Sequence, residues 1–116
     1  MSGASDYPLR TASDALAVID RVAAETNTVN VGLLCDFYHL AANGDDLDAI
    51  TAHLVPRITH VQIADCPGRG EPGTGGLPFA RLLNNLANGG YDGWVSLEYI
   101  PTTATTDSFG SLPRLP

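Results

Sequence analysis

Basic residues are scarce in this chain: six Lys and Arg stand against thirteen Asp and Glu, a formal net charge of −7 over 116 residues. The six are scattered, whereas a surface for nucleic acid or anionic lipid needs them clustered. Neither a nucleic-acid nor a membrane partner is therefore expected. Long apolar runs are missing as well. Nothing approaches the ~20 consecutive apolar residues that cross a bilayer. The first residues, MSGASDYPLR, lack the charged-then-apolar pattern of a secretory leader. There are only two cysteines, Cys35 and Cys66, and their spacing does not suit a metal site. They read as reduced thiols of a cytoplasmic protein, with a single disulfide as the alternative. What is present is a 44% hydrophobic composition, which argues for a globular chain. The length allows one domain, or part of one.

The chain alternates between two hydrophobic periods. Residues 1–11, with Pro8, read as an extended lead-in. Ala15, Leu16, Ile19, Val22 and Ala23 recur at helical spacing, predicting a helix over 12–25 with Ser13 as its N-cap. Val31 to Cys35 is a short apolar strand that ends in Asp36. Asp45 and Asp46, after the Asn43-Gly44 turn, open a second helix with Leu47, Ile50 and Leu54 on one face, stopped by Pro56. A strand over 58–64 follows. The next stretch, to Gly76, carries five glycines, two prolines and the close charged pair Arg69 and Glu71. A helix over 78–88 has Phe79, Leu82, Leu83 and Leu86 on one side and ends at Gly89-Gly90. Trp94 to Tyr99 is the third strand. The tail, 102–116, reads as loosely ordered. Successive strands lie about 30 residues apart, the size of a right-handed βαβ crossover, so the strands should be parallel with helices on one face.

Alternation along each strand sorts the polar residues. Val31, Leu33 and Cys35 oppose Gly32, Leu34 and Asp36. Val61 and Ile63 oppose His60, Gln62 and Ala64. Val95, Leu97 and Tyr99 oppose Trp94, Ser96 and Glu98. Each strand thus has an apolar face for the helices, and Asp36, Gln62 and Glu98 share the other. Neighbouring strands lie about 4.8 Å apart, so two carboxylates and an amide near their C-terminal ends can converge on one ion. Oxygen donors of this kind suit a hard divalent cation such as Mg²⁺ or Mn²⁺. Blander roles stand beside these. Asp36 could cap the following loop, Gln62 could satisfy backbone, and Glu98 could sit in an ion pair. His39 could be packed, Arg69 could pair only with Glu71, and Trp94 could pack at the base of the sheet. Parallel sheets are buried on both faces, so three strands with helices on one side imply a larger barrel or a covering chain.

CDFYH (35–39), HVQIADCPGRGEPGTG (60–75) and GYDGWVSLEY (90–99) resemble the C-terminal part of the hydroxypyruvate isomerase family, which belongs to the xylose isomerase-like TIM barrels. The similarity runs from about Asp6 to Thr106. It implies an α/β fold, a partial (β/α)8 TIM barrel whose three strands match strands 6–8, with residues 1–116 as its C-terminal fragment. It also implies a metal site at Asp36, Gln62 and Glu98, substrate contacts from His39 and Arg69, and Glu98 as one of two proton-moving glutamates. The family reaction interconverts hydroxypyruvate and tartronate semialdehyde; another short keto acid or sugar is the alternative substrate. The family's other glutamate, on the fifth strand, has no counterpart here. The expectation is therefore an isomerase incomplete as this chain alone, or a non-catalytic fragment. Either would self-associate as a homo-oligomer or complement a separate N-terminal half-barrel.

Overall fold

A computed structural model describes residues 7–111. Helix α1 spans Ala12–Thr26, strand β1 Leu33–Asp36, helix α2 Phe37–Ala42 and helix α3 Leu47–His53. A 3₁₀ turn, Val55–Arg57, leads into strand β2, Ile58–Ile63. Helix α4 covers Phe79–Asn88, strand β3 Val95–Leu97 and the short helix α5 Thr105–Ser108. The three strands form one parallel sheet in the order β1-β2-β3.

Local sequence explains the starts of the helices. Thr11, not Ser13, is the N-cap of α1: its hydroxyl accepts from Asp14 N at 3.1 Å, and Asp14 Oδ2 accepts from Thr11 N at 2.9 Å. This reciprocal pair satisfies two amides that the first turn leaves without helical partners. Asp46 caps α3 through Ala49 N at 3.0 Å. Asp45, beside it, accepts from Ala12 N at 2.7 Å and so ties α1 to the turn before α3.

The core lies on one side of the sheet. Leu33 and Cys35 of β1 and Val61 and Ile63 of β2 meet Phe37, Leu40, Leu47, Ile50, Leu82 and Leu86 from α2, α3 and α4. Phe37 also stacks on Phe79 with ring centroids 6.3 Å apart. Burial of each such side chain contributes about 1.5–3 kcal/mol.

The third strand departs from the expected pattern. Val95 and Leu97 were expected to face helices, yet they stay 38% and 36% exposed. Trp94, expected to pack at the base of the sheet, is 83% exposed. Within the stretch read as a loose tail, α5 forms and its buried Ser108 meets the Tyr99 hydroxyl at 2.9 Å. Residues 112–116 of that stretch lie outside the described residues.

Candidate functional site

The inner face of the sheet carries the polar residues. Asp36 ends β1 and lies directly opposite Gln62 of β2, which lies opposite Ser96 of β3. Glu98 is the next residue on the Ser96 face, and its amide donates to Ile63 O at 3.0 Å, continuing the ladder past the strand's end. Asp36, Gln62, Glu98 and His39 line one cavity of about 480 Å³. The three oxygen-bearing residues thus border one space.

Each has local work besides. Asp36 is 8% exposed and is the N-cap of α2, accepting from His39 N through Oδ1 at 2.9 Å. Its other oxygen lies 3.9 Å from His39 Nε2. Capping and cavity lining thus coexist in one carboxylate. Glu98 is in an ion pair, with Arg69 Nη2 at 2.8 Å from Oε1. Arg69 does not pair with Glu71; its guanidinium lies 5.5 Å from the centroid of the Tyr38 ring. His39 follows Tyr38 on α2, their rings meeting edge to face at 5.3 Å.

Among the described residues no three His, Cys, Asp or Glu side chains gather into a metal-sized group. The donor set is instead two carboxylates and an amide. These are hard oxygens, the donor chemistry that suits a divalent cation, and Glu98 is engaged by Arg69.

The glycine-rich loop is built on Asp65, a residue the sequence reading passed over. Asp65 is 1% exposed. Its Oδ1 accepts from Cys66 N at 2.9 Å and Leu77 N at 3.0 Å, and its Oδ2 accepts from Gly73 N at 2.8 Å. Burial pushes its carboxyl up, but N–H donors from Leu77, Gly75, Gly73 and Cys66 outweigh that and hold it below the ordinary 3.8. A side chain on Gly75 would put its Cβ 2.6 Å from Asp65 Oδ1 and 2.7 Å from Cys66 O, so this turn has room only for hydrogen.

Glu71, read from sequence only as a partner for Arg69, anchors the loop's far side. Its carboxylate accepts from Thr102 Oγ1 at 2.6 Å and Thr102 N at 3.0 Å. The Thr102 hydroxyl, Glu71's own amide and the Thr102 amide hold its carboxyl below the ordinary 4.5. A signal for Asp65 was available: an Asp directly before a Gly/Pro-rich run commonly accepts from the turn's amides. The partner of Glu71 lies 31 residues away, which no local pattern announces.

A parallel sheet with helices on one side and a carboxylate-lined concave face on the other is a section of (β/α) barrel wall. The sequence profile of the family described as xylose isomerase-like TIM barrel matches residues 1–115, and the chain belongs to that family. It is 51% identical over 108 residues to a Streptomyces coelicolor protein provisionally named hydroxypyruvate isomerase, covering 92% of this chain and 39% of that protein. To the hydroxypyruvate isomerase of Escherichia coli it is 38% identical over 91 residues, covering 78% of this chain and 34% of the enzyme. Among solved structures, a family 2 AP endonuclease from Brucella melitensis superposes with a TM-score of 0.81 at 33% identity, covering 90% of this chain and 39% of that one. The chain thus spans well under half the length of these relatives.

Proposed function

We propose that this chain supplies the metal- and substrate-holding part of a keto-acid isomerase of the hydroxypyruvate isomerase type. The observation that carries the reading is the opening of Asp36, Gln62 and Glu98 on one cavity. Relatives named hydroxypyruvate isomerase and 2-oxo-tetronate isomerase support the reaction class. In this reading Asp36, Gln62 and Glu98 hold Mg²⁺ or Mn²⁺. When bound, the cation polarises the substrate carbonyl and acidifies the neighbouring C–H. Glu98 moves a proton between adjacent carbons, a role worth about 10²–10⁴-fold for a positioned group. His39, held beside Asp36, donates to a substrate oxygen. Arg69 holds the substrate carboxylate by a two-pronged hydrogen bond. The reaction interconverts hydroxypyruvate and tartronate semialdehyde, with another short keto acid or sugar as the alternative, in a cytoplasmic setting.

In this reading a complementing N-terminal half-barrel supplies the second proton-moving group. The test is turnover of hydroxypyruvate with Mg²⁺ or Mn²⁺, by the chain alone and with the N-terminal part of the Streptomyces coelicolor relative co-expressed. The reading predicts turnover in the mixture and its loss in Glu98→Gln. Inactivity in both preparations, with the two parts associated, overturns it. A second reading rests on the exposed Val95, Leu97 and Ile100: a non-catalytic chain that self-associates. A metal-indifferent homo-oligomer without turnover would support it.

A further inference from the structure

Arg69 occupies an unusual position. Its backbone is in the left-handed region, with φ of 59°. Both sides of its peptide are pinned: its amide donates to Asp65 O at 3.0 Å, and its carbonyl accepts from Ile100 N at 2.7 Å. Asp65 is in turn fixed by the loop's amides, and Glu71 fastens the loop to Thr102. The main chain at Arg69 is thus held from the segments after β2 and after β3. Only the side chain is left to change partners. It lies over Tyr38 and meets Glu98 through Nη2.

Glu98 is the carboxylate with the most to lose by that contact. Asp36 spends one oxygen on the cap of α2, and Gln62 is neutral. A divalent cation entering beside these two has to recruit Glu98, and Glu98 already holds a positive charge at 2.8 Å. The pair is half in solvent, with side-chain exposures of 30% for Arg69 and 44% for Glu98. Ion pairs this exposed are weak, and two positive charges on a small ion outcompete one on a guanidinium.

We propose that Arg69 is a stand-in cation at Glu98, and that a divalent ion arriving at Asp36, Gln62 and Glu98 releases its guanidinium to bind a carboxylate. The inference rests on the metal reading above and adds an order of events: cation first, anionic substrate second. Tyr38 keeps the released guanidinium near the cavity mouth, since a cation over an aromatic face is retained when its carboxylate leaves. The released fork presents donors suited to a planar carboxylate, and a keto acid carries one. Without the ion, Glu98 blocks that fork.

The test uses the full 116-residue chain, Mn²⁺ followed by the free-ion spin-resonance signal, and glycolate as an unreactive carboxylate followed by calorimetry. In metal-free solution Glu98→Gln, which keeps the side chain's shape, is expected to bind glycolate up to about fivefold more tightly than the unmodified chain, because Arg69 is released without any metal. Arg69→Gln is expected to bind Mn²⁺ up to about fivefold more tightly, the upper range for an exposed pair. It is also expected to lose most of the gain in glycolate affinity that Mn²⁺ gives the unmodified chain. Far-UV circular dichroism checks the fold of each variant, and the Glu98→Gln arm stands if Arg69→Gln fails to fold. If Asp36→Asn abolishes Mn²⁺ binding but Arg69→Gln leaves it unchanged or weaker, the stand-in role is overturned and the metal site stands. The same holds if Glu98→Gln gains no glycolate affinity without metal. If the unmodified chain binds no Mn²⁺, the metal reading falls and this inference with it.

Discussion

Two cysteines show how far identical side chains diverge with environment. Cys35 is fully buried on the helix side of β1, and burial, with the Asp36 and Asp45 charges, pushes its thiol up to about 12. Cys66 is partly exposed at the start of the glycine loop, and both are free. The thiolate is the reactive form. Iodoacetamide at neutral pH should therefore label Cys66 and spare Cys35 until denaturant is added, as read by mass spectrometry of the peptides. Asp65 and Glu71 are held below their ordinary values of 3.8 and 4.5, so the folded state binds their protons less readily than the unfolded chain. Stability from these groups is fully present above those values and is lost as pH falls through the lowered ones. Acid unfolding should set in below about pH 4, and Asp65→Asn should flatten that dependence. Asp65→Ala strands buried amides at about 1–3 kcal/mol each, so thermal unfolding should fall by at least about 4 °C.

At the level of elements, legibility followed period and length. Helices α1, α3 and α4 each carry apolar residues at helical spacing, and each stood where the spacing put it. Helix α2 went unseen. Phe37–Ala42 is under two turns, too short for a 3.6-residue period to separate from a strand. Its one sign was Asp36, which the sequence offered first as a ligand and only second as a cap of the following loop. The inner and outer faces of β1 and β2 were legible because alternation is a local property. The exposure of β3 was not, because it depends on what covers the strand. The Arg69–Glu98 pairing joins residues 29 apart, and the nearer Glu71 was the more obvious partner by sequence. The loop's dependence on Asp65 makes Gly75 a sharp probe. Gly75→Ala places a methyl against Cys66 O, which is backbone and cannot swing away. Overpacking of this kind costs about 1–3 kcal/mol, and calorimetric unfolding should show the loss. Thr11→Ala should cost about 1 kcal/mol through the lost cap, without touching metal binding.

As a whole, the molecule is a wall with one finished side. Helices close the outer face over β1 and β2, while the inner face holds Leu34 at 49% exposure beside the candidate ligands. The described strands leave an open edge at β1 and another at β3. Unpaired strand edges favour association with another chain, which is the physical case for a complementing half-barrel or a second copy. Sedimentation should show the chain associating with the N-terminal part of its Streptomyces coelicolor relative. Among the described residues no helix is long and apolar enough to cross a membrane. The account stands or falls on the meeting of Asp36, Gln62 and Glu98, and diffraction at the manganese absorption edge from crystals grown with Mn²⁺ tests it most directly. It predicts one strong anomalous peak within about 2.0–2.3 Å of an oxygen from each of the three side chains, with Glu98 turned away from Arg69. A peak elsewhere on the chain, or none in this cavity with the Arg69–Glu98 pair intact, would contradict it.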